Sequence, residues 1–184
     1  MNNTPAVRLD FFQDKYLADL TYYHLSTDQL MYTAHPKEAL AKEAFEARRH
    51  GIVILIQHHV AGFFVLEDGK SLKMYSDNQQ ALLLCSYSIA YKMQGRGIAK
   101  QSLLQLPAFL NCHFPKKNEV VLGVNHQNMI AQHVYQQCGF VDSGKRIIGK
   151  KGTICTTIKR NGSYPLITDS FHYVILAHSF LIHR

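Results

Sequence analysis

The order of apolar and polar positions divides the chain into alternating extended and helical segments. VRLDFFQ, from Val7, reads as an opening strand, and DKYLADLTYYHL, from Asp14 to Leu25, spaces its apolar residues three and four apart, as one face of a helix requires. HPKEALAKEAFEARRHG is the stronger helix, with Pro36 in its first turn, good helix formers throughout, cationic residues in its last turn and Gly51 to stop it. GIVILIQ and VAGFFVLED are β-branched and aromatic and are joined by the short polar link His58–His59, which predicts an antiparallel pair. GKSLKMYSDNQQ then reads as a loop. In ALLLCSYSIA, from Ala81 to Ala90, nearly every position is apolar or small, the pattern of a central strand covered on both faces.

A third helix pattern runs from Gly97 to Asn111, where Pro107 is expected to kink or split it, having no N–H to donate and a ring that meets the preceding turn. EVVLGVN is a short buried strand, QNMIAQHVYQQCG a helix ending at Gly139, and FVDSGKRIIGKKGTICTTIKR two strands around a glycine turn. The order predicts one α/β (α+β) domain over residues 1–160 with a mixed sheet. Residues 161–184, NGSYPLITDSFHYVILAHSFLIHR, stand outside this order as a carboxy-terminal extension. Three readings stay open, a helix or strand covering a sheet edge, a dimer contact or a poorly ordered extension, and its apolar content favours packing.

Composition narrows the ligand more than the fold. At 184 residues, 47% hydrophobic and 18% charged, the chain is long enough for one core without disulfides. Its formal charge of +7 favours a polyanionic ligand: a nucleotide, a coenzyme or a nucleic acid. Nucleic acid is not expected, because neither an RNP-like aromatic motif nor a clustered basic helix occurs. Cys85, Cys112, Cys138 and Cys155 lie far apart and read as buried thiols, and the histidines form no HExxH, so no metal is expected. With no apolar leader and no run long enough to span a bilayer, the reading is a cytoplasmic protein that does not enter membranes.

Two stretches carry candidate chemistry. In YKMQGRGIAKQSLLQL, the turn from Gln94 to Ala99 leads into a helix, so its backbone N–H groups converge on an anion at the positive end of the helix dipole. Gly95 and Gly97 keep side chains out of the way, and Lys92, Arg96 and Lys100 add charge. Neither GxxxxGK[ST] nor GxGxxG is present, which removes the triphosphate and dinucleotide loops. In NHQNMIAQHVYQQCGF, Asn128, Ala131 and Tyr135 share one helical stripe, beside a stripe of Ile130, Val134 and Cys138 expected to face the core.

Together these stretches resemble the GNAT superfamily of N-acetyltransferases. Its coenzyme A signature Q/R-x-x-G-x-G/A is matched by Gln94, Gly97 and Ala99, and its downstream pattern by Asn125, Asn128, Ala131, Tyr135, Gly139 and Phe140. The resemblance implies a GNAT-like mixed sheet of about six to seven strands, flanked by helices, in which two parallel strands, ALLLCSYSIA and EVVLGVN, splay apart to admit the pantetheine arm of acetyl-CoA, the co-substrate. It implies that Ile89 and Tyr91 offer backbone groups to the arm, that the amides of Gln94, Gly95, Arg96, Gly97, Ile98, Ala99 and Lys100 hold the pyrophosphate, and that Asn128 bonds the arm. Tyr91 stands where many members have proline. Tyr135 is implied as the acid that protonates the leaving thiolate, and Asn125 either positions the acceptor or caps the next helix.

The activity implied is direct attack of a primary amine, on a small molecule or a peptide, through a tetrahedral intermediate, by a monomer or homodimer. The alternative is a coenzyme-binding sensor with little turnover, prompted by a missing base: no carboxylate lies between Asp77 and Glu119. Ser86, Tyr87 and Ser88 are candidates to orient a proton-removing water, and Glu67, Asp68, His58, His59 and His126 are more remote ones. The low acid content ranks a polyamine acceptor below a less cationic one.

Overall fold

A computed structural model describes residues 6–43, 48–148 and 154–161. Strands β1 (Val7–Phe11), β2 (Arg49–Ile56), β3 (His59–Glu67), β4 (Ala81–Ile89), β5 (Glu119–Asn125), β6 (Val141–Ile148) and β7 (Ile154–Asn161) form one sheet in the order β1-β2-β3-β4-β5-β7-β6. Every neighbouring pair is antiparallel except β4 and β5. The predicted mixed sheet is present, at seven strands.

The helices are α1 (Leu17–Thr21), α2 (Thr27–Tyr32), α3 (Pro36–Glu43), α4 (Ile98–His113) and α5 (Met129–Gln137). Alternation along the central strands decides which helix each residue meets. Ile52, Ile54, Phe64, Leu82 and Leu84 join Leu103, Leu106 and Tyr135 of α4 and α5 on one face. Val53, Leu55, Phe63 and Val65 join Leu20, Tyr23 and Ala39 on the other. Both faces are covered, which is why β2 to β4 read as continuous apolar runs rather than alternating ones.

Several elements differ from the sequence expectation. The segment from Asp14 to Leu25 is a 3-10 turn (Asp14–Tyr16) followed by a single short helix that stops at Thr21. α3 is described to Glu43, and Gly51, expected to end that helix, lies inside β2 opposite Val65. The β2–β3 link is Gln57–His58, with His59 already paired to Ile56. Lys70–Met74 is a 3-10 turn inside the expected loop. α4 runs unbroken through Pro107. Proline costs about 3 kcal/mol in a helix interior, whereas Leu103, Leu106, Phe109 and Leu110, all buried, contribute about 1.5–3 kcal/mol each by leaving water, so packing outweighs propensity. Ile130, expected in the core, is 83% exposed, and of the thiols only Cys138 is buried among those described, Cys85 being half-buried and Cys112 exposed. The expected extension over residues 161–184 lies, beyond Asn161, outside the described residues.

One irregularity in β4 governs the site. From Cys85 to Ser88 this strand uses three steps where β3 uses two, from Val65 to Phe63. The extra residue is a bulge, and Ser86 takes a left-handed φ of 53° to make it. The parallel ladder with β5 extends only over Ala81–Leu83 against Glu119–Val121. Beyond it β4 and β5 carry no pairing, so their carboxyl-terminal halves frame a gap.

Candidate active site

Past Ile89 the chain makes a 3-10 turn (Tyr91–Met93), then passes through Gly95 and Gly97 into α4. These glycines have φ of 73° and 71°, left-handed values that L side chains adopt only with strain. A Cβ placed on Gly95 would meet nothing within 4 Å, and one on Gly97 only the Gln101 amide nitrogen at 4.0 Å. The turn therefore fronts open space. The six consecutive N–H groups of Gly95, Arg96, Gly97, Ile98, Ala99 and Lys100 have no hydrogen-bond partner among the described residues. Three of them are the free donors of the first turn of a 16-residue helix, where the dipole is positive. Such a nest suits a diphosphate.

A cavity of about 820 Å³ runs from this turn into the gap between β4 and β5. Leu84–Ile89 of β4 and Leu122–Asn125 of β5 form its walls. Of the sequence-predicted residues, Ile89, Tyr91, Gln94, Gly95, Gly97, Ile98, Ala99, Lys100, Asn125, Asn128 and Tyr135 line it. Arg96 does not; it stands exposed on the turn.

Hydrogen bonds sort these residues by what they have left to offer. The Ile89 carbonyl already accepts from the side-chain amides of Gln29, at 3.0 Å, and Gln94, at 3.2 Å. The Tyr91 N–H donates to the His24 carbonyl at 2.9 Å, a bond that proline at this position could not make. The Asn128 side-chain oxygen caps α5 by accepting from the Ala131 N–H at 3.1 Å, while its amide nitrogen has no partner among the described residues. The Asn125 side-chain oxygen accepts from the Gln127 N–H at 2.8 Å, which closes a turn ahead of α5, while the helix cap expected of it is made by Asn128.

Tyr135 is 8% exposed, with its ring edge-on to Tyr87 and Phe140. Burial pushes its phenol well above the usual tyrosine range, so it holds its proton at every working pH. Tyr87 is committed elsewhere: its hydroxyl donates to the Ala99 carbonyl at 3.1 Å and bonds the Ser102 hydroxyl at 2.7 Å, which ties β4 to α4. The Ser88 hydroxyl is paired with that of buried Tyr23 at 2.9 Å. Tyr87→Phe removes a buried hydroxyl from this brace, and an expected loss of about 1–2 kcal/mol in urea unfolding checks it.

Burial of the Cys85 thiol at the cavity wall pushes it up to about 11, outweighing the Arg49 guanidinium nearby, so it is protonated and a poor nucleophile. None of the remote base candidates lines the cavity. Glu67 is buried in an ion pair with Arg49, Asp68 pairs with Lys117 at 2.8 Å, His59 lies 3.7 Å from Asp19, and His58 and His126 are exposed on turns.

The wall facing the strands was missed by the sequence reading. It is α2 with its C-cap, which brings Asp28, Gln29, Tyr32 and Thr33 to the cavity. The signal was Ser26-x-x-Gln29, a capping box in which the Ser26 oxygen accepts from the Gln29 N–H and the Gln29 side chain accepts from the Ser26 N–H. Six residues are too few for a hydrophobic period to show.

Residues 17–140 match the Acetyltransferase (GNAT) family, and the chain belongs to it. It is 39% identical over 150 residues to an uncharacterized N-acetyltransferase, YbbJ, of Bacillus subtilis (strain 168), covering 81% of this chain and 94% of that one. Among solved structures, the aminoglycoside acetyltransferase AAC(6')-Ib bound to an aminoglycoside and acetyl-CoA shares the fold at a TM-score of 0.68, with 14% identity over 85% of this chain and 93% of its own. Spermidine N-acetyltransferase of Vibrio cholerae, with CoA and spermine, follows at 0.57, with 17% identity over 84% and 95%.

Proposed function

We propose that the protein transfers an acetyl group from acetyl-CoA to a primary amine of a small molecule or peptide. The observation that carries this reading is the run of six N–H groups without a partner among the described residues, Gly95 to Lys100, opening onto a cavity where the parallel strands β4 and β5 part beyond Leu83 and Val121. Family membership and the acetyltransferase relatives support it. AAC(6')-Ib and the spermidine enzyme were solved with coenzyme and amine-bearing acceptors, which supports a small-molecule acceptor.

The residues present fit the coenzyme. The glycine turn would hold the diphosphate, with Lys100 beside it, and the free Asn128 amide would donate to the arm. Bound there, the coenzyme supplies an acyl carbon already activated as a thioester. The protein's part is to orient it between β4 and β5, exclude water, and hold a proton at the Tyr135 hydroxyl for the departing sulfur. A backbone N–H of β4 near the bulge meets the charge that develops on the acyl oxygen. The neutral amine attacks directly, in keeping with the protonated Cys85 thiol.

The Ile89 carbonyl can serve the arm only by exchanging a bond with Gln29 or Gln94, both of which hold it. Because Gln29 belongs to α2, this exchange links coenzyme entry to the opposite wall.

The test is calorimetric binding of acetyl-CoA beside thiol release over a panel of amines. Tight binding with release for at least one amine is expected, and binding with no release for any amine favours the sensor alternative. Asn128→Asp separates cap from contact: aspartate keeps the helix cap but has no amide donor, so the thermal midpoint is expected to hold while acetyl-CoA affinity falls about five- to tenfold.

A further inference from the structure

Among the described residues lining the cavity, Asp28 of α2 is the one carboxylate, and Lys100 the one ammonium. Asp28 lies one turn from Tyr32 on α2, and both line the same wall with Gln29 and with Thr33, the extended residue that ends the helix. It has neither an ion-pair nor a hydrogen-bond partner among the described residues, although Arg8, Arg49, Lys117 and Arg146 all have one. A first-turn aspartate also favours its own helix dipole, but α2 has only six residues and already carries a full capping box, so that need is small.

The contrast with the rest of the site is electrostatic. The glycine turn is a concentration of donors beside Lys100, in a chain of formal charge +7, and it favours anions. The α2 wall offers an unpaired carboxylate among hydroxyls and amides. An acceptor with a single amine must present that nitrogen uncharged to react, and it then gains nothing from a carboxylate. An acceptor with a second, protonated nitrogen gains an ion pair while its first is free to attack.

We propose that Asp28 is a specificity-determining residue that holds a second, non-reacting ammonium of the acceptor, so that the favoured substrates are small amines carrying at least two cationic nitrogens. This rests on the acetyl-transfer reading. It also reverses the ranking drawn from acid content, because what matters is where a carboxylate stands and not how many the chain contains.

The experiment compares wild type with Asp28→Asn, using the full chain, acetyl-CoA and two length-matched acceptors, 1,4-diaminobutane and n-butylamine. Because Asp28 is exposed, the effect is moderate: KM for the diamine is expected to rise about fivefold with kcat little altered, so the diamine-to-monoamine ratio of kcat/KM falls by about the same factor. The wild-type KM for the diamine should climb with ionic strength, and this dependence should flatten in the variant. An equal loss for both amines, a kcat effect with a displaced acid limb, or no change overturns the proposal; the second of these makes Asp28 a base. If wild type binds acetyl-CoA but acetylates neither of these two amines, the transfer reading is decided separately, by thiol release over the full amine panel. Titration of the coenzyme-loaded protein with the diamine then decides, with weaker binding to Asp28→Asn supporting the anchor and equal binding refuting it.

Discussion

Gly97→Glu is expected to abolish acetyl-CoA binding, with Kd rising at least a hundredfold in calorimetry. The site chain is short: a left-handed residue at φ 71° turns the backbone so that its N–H and those of its neighbours face one volume. A glutamate there puts a carboxylate in that volume. Losing two charge-assisted hydrogen bonds removes about 3–6 kcal/mol, which is at least a hundredfold in Kd. The left-handed backbone adds about 1–2 kcal/mol of strain to the fold itself, or a few degrees in the thermal midpoint of a chain this size. Gly97→Ala separates the two causes. Alanine shares the strain but brings no charge, and its Cβ has room, since the nearest atom lies 4.0 Å away. Its midpoint should fall like that of the glutamate variant while most of the affinity survives. If Gly97→Glu binds acetyl-CoA as wild type does, the anion-nest assignment is wrong.

How much of this was legible in the sequence depends on whether local or long-range forces decide each feature. The glycine turn was legible because only glycine occupies positive φ without strain and because β4 and α4 announce themselves on either side. Asn128, Ala131 and Tyr135 were legible because helical spacing places them on one stripe, and all three line the cavity. Ile130 was misplaced by the same reasoning, since periodicity gives relative angle but not which side of α5 meets the sheet. Pro107 misled because propensity is a local quantity and the burial that overrides it comes from strands far away in sequence. Gly51 looked like a helix stop, yet β-pairing with Val65 claims it. α2 was invisible for want of length, and with it went the wall that holds Asp28. Ser86, Tyr87 and Ser88 were noticed for their hydroxyls, but only the structure reveals that Tyr87 and Ser88 are already engaged.

Tyr135→Phe is expected to lower kcat about 10- to 100-fold while leaving acetyl-CoA affinity within about twofold. General acids contribute about 10²–10⁴-fold, and the low end applies here because a thiol of pKa about 8.5 departs with little help. The attacking amine is the harder half: a lysine-like amine near pKa 10.4 is neutral in about one molecule in 2,500 at pH 7. The pH profile separates the roles. Burial raises the Tyr135 pKa, so the phenol remains a proton donor well into the alkaline range where a solvent-exposed tyrosine would begin to lose its proton. Wild-type kcat/KM should therefore rise as the amine deprotonates and show no descending limb up to about pH 10. The phenylalanine variant should keep that rise at a lower level, since the amine and not the phenol sets its midpoint. The ring contacts with Tyr87 and Phe140 survive the change, so a lost fold is not an alternative cause. Wild-type turnover in Tyr135→Phe would leave this residue a packing element, and a descending alkaline limb in wild type would show that the acid titrates within reach of solvent.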